Sequence, residues 1–108
     1  MRNKIGVIGA GLVGATAAFA LSQSGLASEI VLIDANAQRA RGEALDIEHG
    51  AALAPPVLVR DGDYPDLADA HLVIIAAGAN QKSGETRLDL AQKNLAVIDS
   101  IVPQVVRY

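Results

Sequence analysis

The chain has 108 residues, the size of one small domain, and is 51% hydrophobic but only 3% aromatic. A core of Val, Ile, Leu and Ala suits parallel strands covered by helices on both faces. The formal net charge is −3 and no basic cluster is present, which argues against a nucleic-acid surface. The absence of cysteine excludes disulfides and thiolate metal sites, so no metal site is predicted and a cytoplasmic location is expected.

Strand and helix patterns alternate through the first half of the chain. The first strand is predicted at Ile5–Ile8, and a helix follows at Leu12–Gln23 with Gly25 at its end. A second strand is predicted at Ile30–Ile33. The helix expected at Asn36–His49 has apolar residues at helical spacing and a glycine directly after it.

The second half continues the alternation. A short third strand is predicted at Val57–Val59, and residues 61–70 predict a loop with at most one helical turn. The apolar run Leu72–Ala76 predicts a central strand, and a long amphipathic helix runs from Glu85 to about Val106, kinked by Pro103. The inward face of this helix is expected to carry Leu88, Leu95, Ile98, Ile101, Val102 and Val105.

Four parallel strands joined by right-handed crossovers predict an α/β fold of the Rossmann type, a doubly wound sheet with strand order 3-2-1-4. No repeat or linker divides residues 1–108, so a single nucleotide-binding segment is expected. Two strands of the complete fold are missing, and the apolar fourth strand would be an unpaired edge. We therefore expect the chain to be part of a longer polypeptide.

A glycine-rich turn joins the first strand to the following helix in the order typical of dinucleotide-binding sites. Gly9 permits the tight turn, Gly11 permits close approach of a diphosphate, and Gly14 permits close packing of the helix on the sheet. The N–H groups of Leu12, Val13 and Gly14 lie at the positive end of the helix. They can hold phosphate groups without a basic side chain.

An acidic residue completes this pattern. Asp34 follows the second strand, 20 residues after Gly14, and can accept hydrogen bonds from both hydroxyls of an adenosine ribose. A 2′-phosphate would meet a like charge there, so the sequence favours NAD over NADP. Arg39, five residues further on, weakens this preference without reversing it.

A targeting segment is the competing interpretation of the same region. The basic Arg2 and Lys4 precede the apolar run Ile5–Leu21, an arrangement that resembles a signal peptide or membrane span. The run is 17 residues long, shorter than the ~20 that a spanning helix needs. Its glycines have the spacing of a turn, so we do not expect a membrane partner.

The loop after the fourth strand is polar and leaves from the edge where ligands bind in open α/β sheets. It contains the neutral Gln81, the flexible Gly84, and Arg87 beside the next helix. These features suit a lid that closes on a substrate, but an ordinary solvated loop has the same composition. The residues alone leave both interpretations open.

Four motifs together resemble the L-lactate/malate dehydrogenase family, and most closely its bacterial L-lactate dehydrogenases. They are G-A-G-L-V-G, V-L-I-D-A-N with Arg39, G-E-A-L-D-I-E-H-G, and A-A-G-A-N-Q-K-S-G-E-T-R-L-D-L-A-Q-K-N. The resemblance covers the whole chain, about the first third of such an enzyme. It implies reversible hydride transfer between lactate and pyruvate, with NAD as cofactor.

The resemblance also implies roles for individual residues. Gln81 stands at the substrate-selecting position, where malate dehydrogenases carry Arg, and Arg87 matches the catalytic, substrate-contacting loop arginine. The implied cofactor contacts are Val13, Asp34, Arg39, Tyr64, Gly78, Ala79 and Ser100. From the residues alone, Tyr64 suits simple loop packing equally well, and Ser100 reads as an exposed helical serine. The D-I-E-H-G segment resembles a subunit contact, so a homo-oligomer is expected, a tetramer in the full-length family, with His49 structural.

The chain lacks three features of the family: the acid–base His, its orienting Asp and the carboxylate-anchoring Arg. We therefore expect these 108 residues alone to bind NAD weakly at best and to show no turnover. Three alternatives stay open. They are a malate or other 2-hydroxy-acid dehydrogenase, an NAD-binding module without chemistry, and a fragment that associates through its sheet edge.

Overall fold

The structure is a computed structural model that describes residues 3–50, 57–77 and 86–108, with the backbone alone at residues 50, 87, 89 and 90. The strands are β1 (Lys4–Ile8), β2 (Glu29–Ile33), β3 (Leu58–Asp61) and β4 (Leu72–Ile75). The helices are α1 (Leu12–Ser24), α2 (Ala37–Gly50) and α3 (Arg87–Arg107). A short 3-10 helix, Tyr64–Leu67, occupies the loop between β3 and β4.

All four strands are parallel and lie in the order β3-β2-β1-β4, which confirms the predicted Rossmann-type topology. In the central pair, Lys4 lies opposite Glu29 and Ile8 opposite Ile33, so β1 and β2 end together. Ile8 also lies opposite Ile75 of β4. The carboxyl ends of these three strands therefore meet at one edge of the sheet.

The third strand lies further along the chain than the predicted Val57–Val59. It runs to Asp61 because the parallel ladder with β2 extends as far as the pair of Leu32 and Asp61. Arg60 also pairs with β2 through its side chain, with its Nε 2.8 Å from Glu29 Oε2. The pattern of apolar residues could not predict that the strand includes Arg60 and Asp61, because both are charged. Arg60 is accommodated by its acidic partners Glu29 and Asp66 on neighbouring segments.

Side chains that alternate along the central strands fill the core on both sides of the sheet. One face, against α1 and α2, includes Ile5, Val7, Ala18, Ile30, Leu32, Ala44 and Ile47. The opposite face includes Ile8, Val31, Ile33, Leu67 and Ile101. Because successive residues of a strand point to opposite faces, an unbroken apolar run such as I-V-L-I supplies both layers.

Small residues let α1 lie close to the sheet. Its buried positions are Gly14, Ala18 and Ser22, one helical turn apart. The Ser22 hydroxyl is buried and donates to the Phe19 carbonyl oxygen at 2.6 Å. The helix ends at Gly25 with φ 76°, the left-handed conformation that glycine adopts readily, as the sequence predicted.

The predicted inward face of α3 is wrong at four of its six positions. Leu88, Leu95, Ile98 and Val102 are exposed, and Leu95 is 60% accessible. The helix instead packs through Ile101, with Val97 and Val105 one turn away on each side. Two apolar stripes run along α3, and the periodicity could not show which one meets the sheet.

Two further expectations concern Pro103 and the fourth strand. Pro103 lies inside α3, which continues to Arg107, so it does not end the helix, and the kink stays a prediction. The strand expected to be central, β4, lies at the edge of the described sheet, where Leu72 is 51% exposed.

The apolar run Ile5–Leu21 is divided between a strand, a turn and a helix. Most of its first residues form β1, and the helical part begins only at Leu12. Within residues 3–50, 57–77 and 86–108, no helix combines the length and the hydropathy that crossing a membrane requires.

Candidate functional site

A cleft of about 1110 Å³ opens at the carboxyl edge of the sheet. The ends of β1 and β2, the first turns of α1 and α2, the 3-10 helix and one face of α3 contribute to its walls. The predicted site residues that line it are Gly9, Gly11, Leu12, Val13, Asp34, Arg39, Tyr64 and Ser100. The structure thus brings together residues that are separated by up to 91 positions in the sequence, from Gly9 to Ser100.

Two glycines of the turn are required by the protein's own packing. Gly9 has φ 104°, and its N–H donates to the Ile33 carbonyl oxygen at 2.7 Å. A Cβ on Gly9 would lie 2.6 Å from the backbone nitrogen of Ala77. A Cβ on Gly14 would overlap the carbonyl oxygen of Gly9, so α1 can start this close to β1 only with glycine there.

Gly11 differs from the other two because a Cβ added to it would meet no atom of the described residues within 4 Å. Gly11 is the N-cap of α1, and within the described residues no side chain caps this helix start. The first helical hydrogen bond runs from the Ala15 N–H to the Gly11 carbonyl oxygen at 2.8 Å. The N–H groups of residues 12–14 therefore remain available to an anion, and the space over Gly11 suits a diphosphate.

Asp34 lies at the end of β2 with its side chain only 5% exposed and four donors around it. Its Oδ2 accepts hydrogen bonds from the Ala10 N–H at 2.6 Å and from Arg39 Nη2 at 2.8 Å and Nε at 3.2 Å. Its Oδ1 accepts one bond, from the Asn36 N–H at 2.8 Å. That Asp34 accepts two ribose hydroxyls stays a prediction; in this arrangement Oδ1, which accepts one bond, has more remaining capacity than Oδ2, which accepts three.

These contacts also set the charge of Asp34. Burial acts to raise the pKa of its carboxyl, but hydrogen bonds from the backbones of Ala10 and Asn36 and from Arg39, with the positive charge of Arg39, outweigh it. The net effect lowers the pKa below its usual 3.8. The carboxylate at this end of the cleft is therefore ionised at neutral pH.

Tyr64 is positioned by a capping box. Asp63 Oδ1 accepts from the Tyr64 N–H at 2.8 Å, and the Asp63 N–H donates to Asp66 Oδ2 at 2.8 Å. Asp66 is also 3.3 Å from Arg60 Nη1, which ties the 3-10 helix to β3. Burial, and then the charge of Asp63, raise the pKa of Tyr64, so its phenol stays neutral. Sequence reasoning missed Asp63, although two aspartates three residues apart are a capping signal.

One face of α3 closes the cleft on the far side. It presents Val97, Ser100, Ile101 and Gln104. The Ser100 hydroxyl donates to the Val97 carbonyl oxygen at 2.7 Å, and Gln104 Nε2 donates to the Ser100 carbonyl oxygen at 3.2 Å. Gln104 was not predicted, although its position one turn after Ser100 places both on the same helix face.

Four predicted residues are not located relative to the cleft. Gly78, Ala79 and Gln81 lie outside the described residues, and Arg87 begins α3 with only its backbone described. Their roles stay predictions.

The two histidines lie outside the cleft lining. His71 precedes β4 at the amino edge of the sheet, where its Nδ1 accepts from the Lys4 N–H at 3.4 Å. His49 is exposed near the end of α2. Within the described part of the chain, no three acidic or histidine side chains gather closely enough to hold a metal ion.

Sequence relatives agree with this geometry. A family model for the NAD-binding domain of lactate/malate dehydrogenase matches residues 3–108. L-lactate dehydrogenase 1 of Clostridium acetobutylicum is 57% identical over 106 residues, which cover 98% of this chain and 34% of that relative. The chain thus spans about a third of the length of the curated relatives it matches.

Solved structures share the same fold. The minor L-lactate dehydrogenase from Enterococcus mundtii superimposes with a TM-score of 0.94 at 44% identity, over 98% of this chain and 34% of that one. Malate dehydrogenase from Archaeoglobus fulgidus, solved in complex with NADH, gives a TM-score of 0.87 at 40% identity, over 96% and 36%. A turn that only glycine can form, an uncapped helix start and a buried acid at the next strand thus occur in a chain that belongs to the lactate/malate dehydrogenase family, in its NAD-binding domain.

Proposed function

We propose that this chain holds NAD in the cleft and serves an NAD-dependent L-lactate dehydrogenase, which transfers a hydride reversibly between lactate and pyruvate. The observation that carries the proposal is the space over Gly11. Packing explains Gly9 and Gly14, but among the residues that the structure describes no atom requires a glycine at position 11. An absent side chain beside uncapped N–H groups suits a bound diphosphate.

The residues of this chain would divide the cofactor between them. The N–H groups of Leu12, Val13 and Gly14 would hold the diphosphate, and Asp34 Oδ1 would accept a hydroxyl of the adenosine ribose. The remaining contacts proposed for the cofactor are Arg39, Tyr64, Gly78, Ala79 and Ser100. Bound NAD supplies the hydride chemistry, which the protein's own side chains lack.

The loop before α3 would select and activate the substrate. A neutral Gln81 suits the methyl end of pyruvate, because a closed pocket cannot bury the second carboxylate of oxaloacetate without a partner. Arg87 would place a positive charge near the ketone oxygen, where negative charge grows during hydride transfer. The L-lactate dehydrogenase relatives at 57% and 56% identity support this substrate class.

Cofactor binding can be tested separately from chemistry. Titration calorimetry of the protein expressed from its complete gene should show NAD binding that Gly11→Ala weakens at least about tenfold, since a methyl group would occupy the diphosphate's space. Gly42→Ala is the matched control, because a Cβ there also meets no atom of the described part of the chain within 4 Å, and Gly42 is not among the residues that line the cleft. Equal NAD affinity in both variants would contradict the proposed diphosphate site.

The substrate proposal needs the protein expressed from its complete gene. NADH should be consumed when pyruvate is added, and Gln81→Arg should shift the ratio of kcat/KM from pyruvate towards oxaloacetate. Gln92→Arg, at an exposed position of α3, adds the same charge away from the loop and should leave the ratio unchanged. An unchanged ratio in Gln81→Arg would remove the selecting role from Gln81.

A malate dehydrogenase is the second candidate, because structures of that enzyme also match, as with the Archaeoglobus fulgidus protein. Preference of the unmodified protein for oxaloacetate over pyruvate would establish it. NAD binding without NADH consumption on either acid would instead indicate a binding module.

Self-association is proposed from the family resemblance. On α2, Leu45 is 51% exposed and lies in the D-I-E-H-G neighbourhood expected at a subunit contact. Sedimentation of the protein from its complete gene should show a homo-oligomer, with a tetramer as the family's expected state. A cytoplasmic location and the lack of nucleic-acid or membrane partners stay predictions.

A further inference from the structure

The 3-10 helix brings one side chain to the cleft and uses two others to hold itself in place. Tyr64 lines the cleft. Leu67 is only 3% exposed and packs in the core. Asp66 accepts the Asp63 N–H on Oδ2 at 2.8 Å, and its Oδ1 lies 3.3 Å from Arg60 Nη1. Neighbouring side chains thus hold the backbone that carries Tyr64.

Arg60 connects this short helix to the opposite edge of the sheet. Its Nε is 2.8 Å from Glu29 Oε2, at the amino end of β2, while its Nη1 contacts Asp66. A guanidinium can contact two separate acids because its N–H groups form a rigid planar fork, whereas a lysine ammonium is a single point charge. The side chain of Arg60 therefore spans the distance from the start of β2 to the segment that borders the cleft.

Asp66 fits between its partners because residue 62 is a glycine. A Cβ on Gly62 would lie 2.7 Å from Asp66 Oδ2 and 2.7 Å from Val31 Cγ1. The hydrogen bond from the Asp63 backbone, followed by the contact with Arg60, outweighs burial and lowers the pKa of Asp66 below its usual 3.8. The carboxylate is therefore ionised at neutral pH and can pair with the guanidinium.

We propose that Arg60 and Asp66 are positioning residues for cofactor binding, which hold Tyr64 against the bound dinucleotide by tying the 3-10 helix to Glu29. The inference rests on the proposed function, since it takes Tyr64 as a cofactor contact. Arg60 and Asp66 are not among the described residues that line the cleft. Their effect on the cofactor is therefore indirect and passes through Tyr64.

A double-mutant cycle on NAD affinity tests this route, measured by titration calorimetry on the protein expressed from its complete gene. Asp66→Asn removes the charge that pairs with Arg60 but keeps the size of the side chain and an acceptor for the Asp63 N–H. It should weaken NAD binding about threefold to tenfold. In a Tyr64→Ala background the same change should alter the affinity by less than about twofold, because no phenol remains to be positioned.

Asp61→Asn is the matched control. It removes one carboxylate from an exposed position at the end of β3, and Asp61 does not line the cleft. It should leave the NAD affinity within about twofold of the unmodified protein. Arg60→Lys carries the test if Asp66→Asn does not fold, because one ammonium cannot contact both acids. It should weaken NAD binding in the same way, and again only with Tyr64 present.

The phenol of Tyr64 gives a readout without cofactor. Burial, and then the charge of Asp63, raise the pKa of Tyr64 above its ordinary 10.0. Release of the 3-10 helix should expose the ring, so Asp66→Asn should move this pKa down towards 10.0, whereas Asp61→Asn should not. NMR of ¹³C-labelled tyrosine measures the titration, with the Tyr64 signal identified by its loss in Tyr64→Phe.

Three results would overturn the inference. They are an unchanged Tyr64 titration in Asp66→Asn, equal losses of NAD affinity in Asp66→Asn and Asp61→Asn, and equal effects of Asp66→Asn with and without Tyr64. NAD binding by the unmodified protein separates the two proposals. If it is absent, the proposed function fails, whereas NAD binding with independent effects of Asp66 and Tyr64 overturns only the positioning role.

Discussion

The centre of the sheet and the edge formed by β4 and α3 differ in how completely they are packed. Ile30 and Leu32 of β2 are fully buried, with helices or the 3-10 segment on both faces. At that edge, Leu72 of β4 is 51% exposed, and Leu95 of α3 is 60% exposed. The centre of the sheet is thus a closed core, whereas β4 and α3 present apolar surface; at the opposite edge Leu58 of β3 is also exposed, at 49%.

The two walls of the cleft differ in the same way, because one belongs to the central strands and the other to α3. The wall formed by the glycine turn and Asp34 is attached to the buried central strands by hydrogen bonds. The Gly9 N–H donates to the Ile33 carbonyl oxygen, and the Ala10 N–H donates to Asp34 Oδ2. The opposite wall belongs to α3, where Ile101 is the buried side chain. We infer that the turn and the acid are held rigidly, and that α3 is the more easily displaced wall.

The largest loss of stability should come from truncating a side chain in the core at the centre of the sheet. Leu32→Ala should lower the free energy of unfolding by about 2–5 kcal/mol, because it removes buried methyl groups and leaves a cavity. Leu95→Ala, the same substitution on exposed α3, should change it by less than about 0.5 kcal/mol. Urea unfolding of both variants measures these two changes in the free energy of unfolding. Equal losses would show that the central strands and the exposed face of α3 are packed alike.

A smaller and local effect is expected at the attachment of α3. Ile101→Ala should cost about 2 kcal/mol, the low end for such a truncation, since one side of its site is lined by partly exposed residues. Native-state hydrogen exchange should accelerate in α3 while β1 and β2 stay protected. Uniform acceleration across the chain would show instead that α3 and the sheet open as one unit.

Acid should reduce the contribution of Asp34 to the free energy of unfolding. Because folding lowers the pKa of this carboxyl below its usual 3.8, its stabilising contribution is complete above that pH. The contribution is lost as the pH falls through the folded-state pKa. The stability difference between the unmodified chain and Asp34→Asn should therefore shrink between pH 7 and pH 3.

Unfolding by urea across this pH range measures that difference. Asp46→Asn, at an exposed position of α2, is the matched control for the loss of one carboxylate. A difference for Asp34→Asn that is independent of pH would mean that the carboxylate contacts do not stabilise the fold.

The smallest effect should be a gain. Gly42 lies within α2, and no atom of the described residues lies within 4 Å of the position of an added Cβ, so Gly42→Ala should stabilise the chain by about 0.5–1 kcal/mol. Gly14→Ala should do the opposite because its Cβ would overlap the Gly9 oxygen. Thermal unfolding of the two variants compares an unconstrained glycine with one that the turn requires.

The strand order was predictable because crossovers between parallel strands are right-handed. The two core layers and the glycine turn were predictable from the residues themselves. Each depends on a local property: alternation along a strand assigns Val31 and Leu32 to opposite layers, and the missing Cβ at Gly9 allows φ 104° and contact with the next strand. The acid after β2 followed from the spacing of the same motif. These features can be read from the sequence because the chain segments that create them are short.

The contacts that these elements make with one another could not be predicted from the sequence. Leu95 and Ile101 have similar hydrophobicity, and only the docking of α3 leaves one exposed and the other 5% accessible. Likewise, the residues indicate an acid at position 34 but not that Arg39 engages its Oδ2. Contacts of this kind depend on distances through space, which burial and competition among donors decide after the elements have packed.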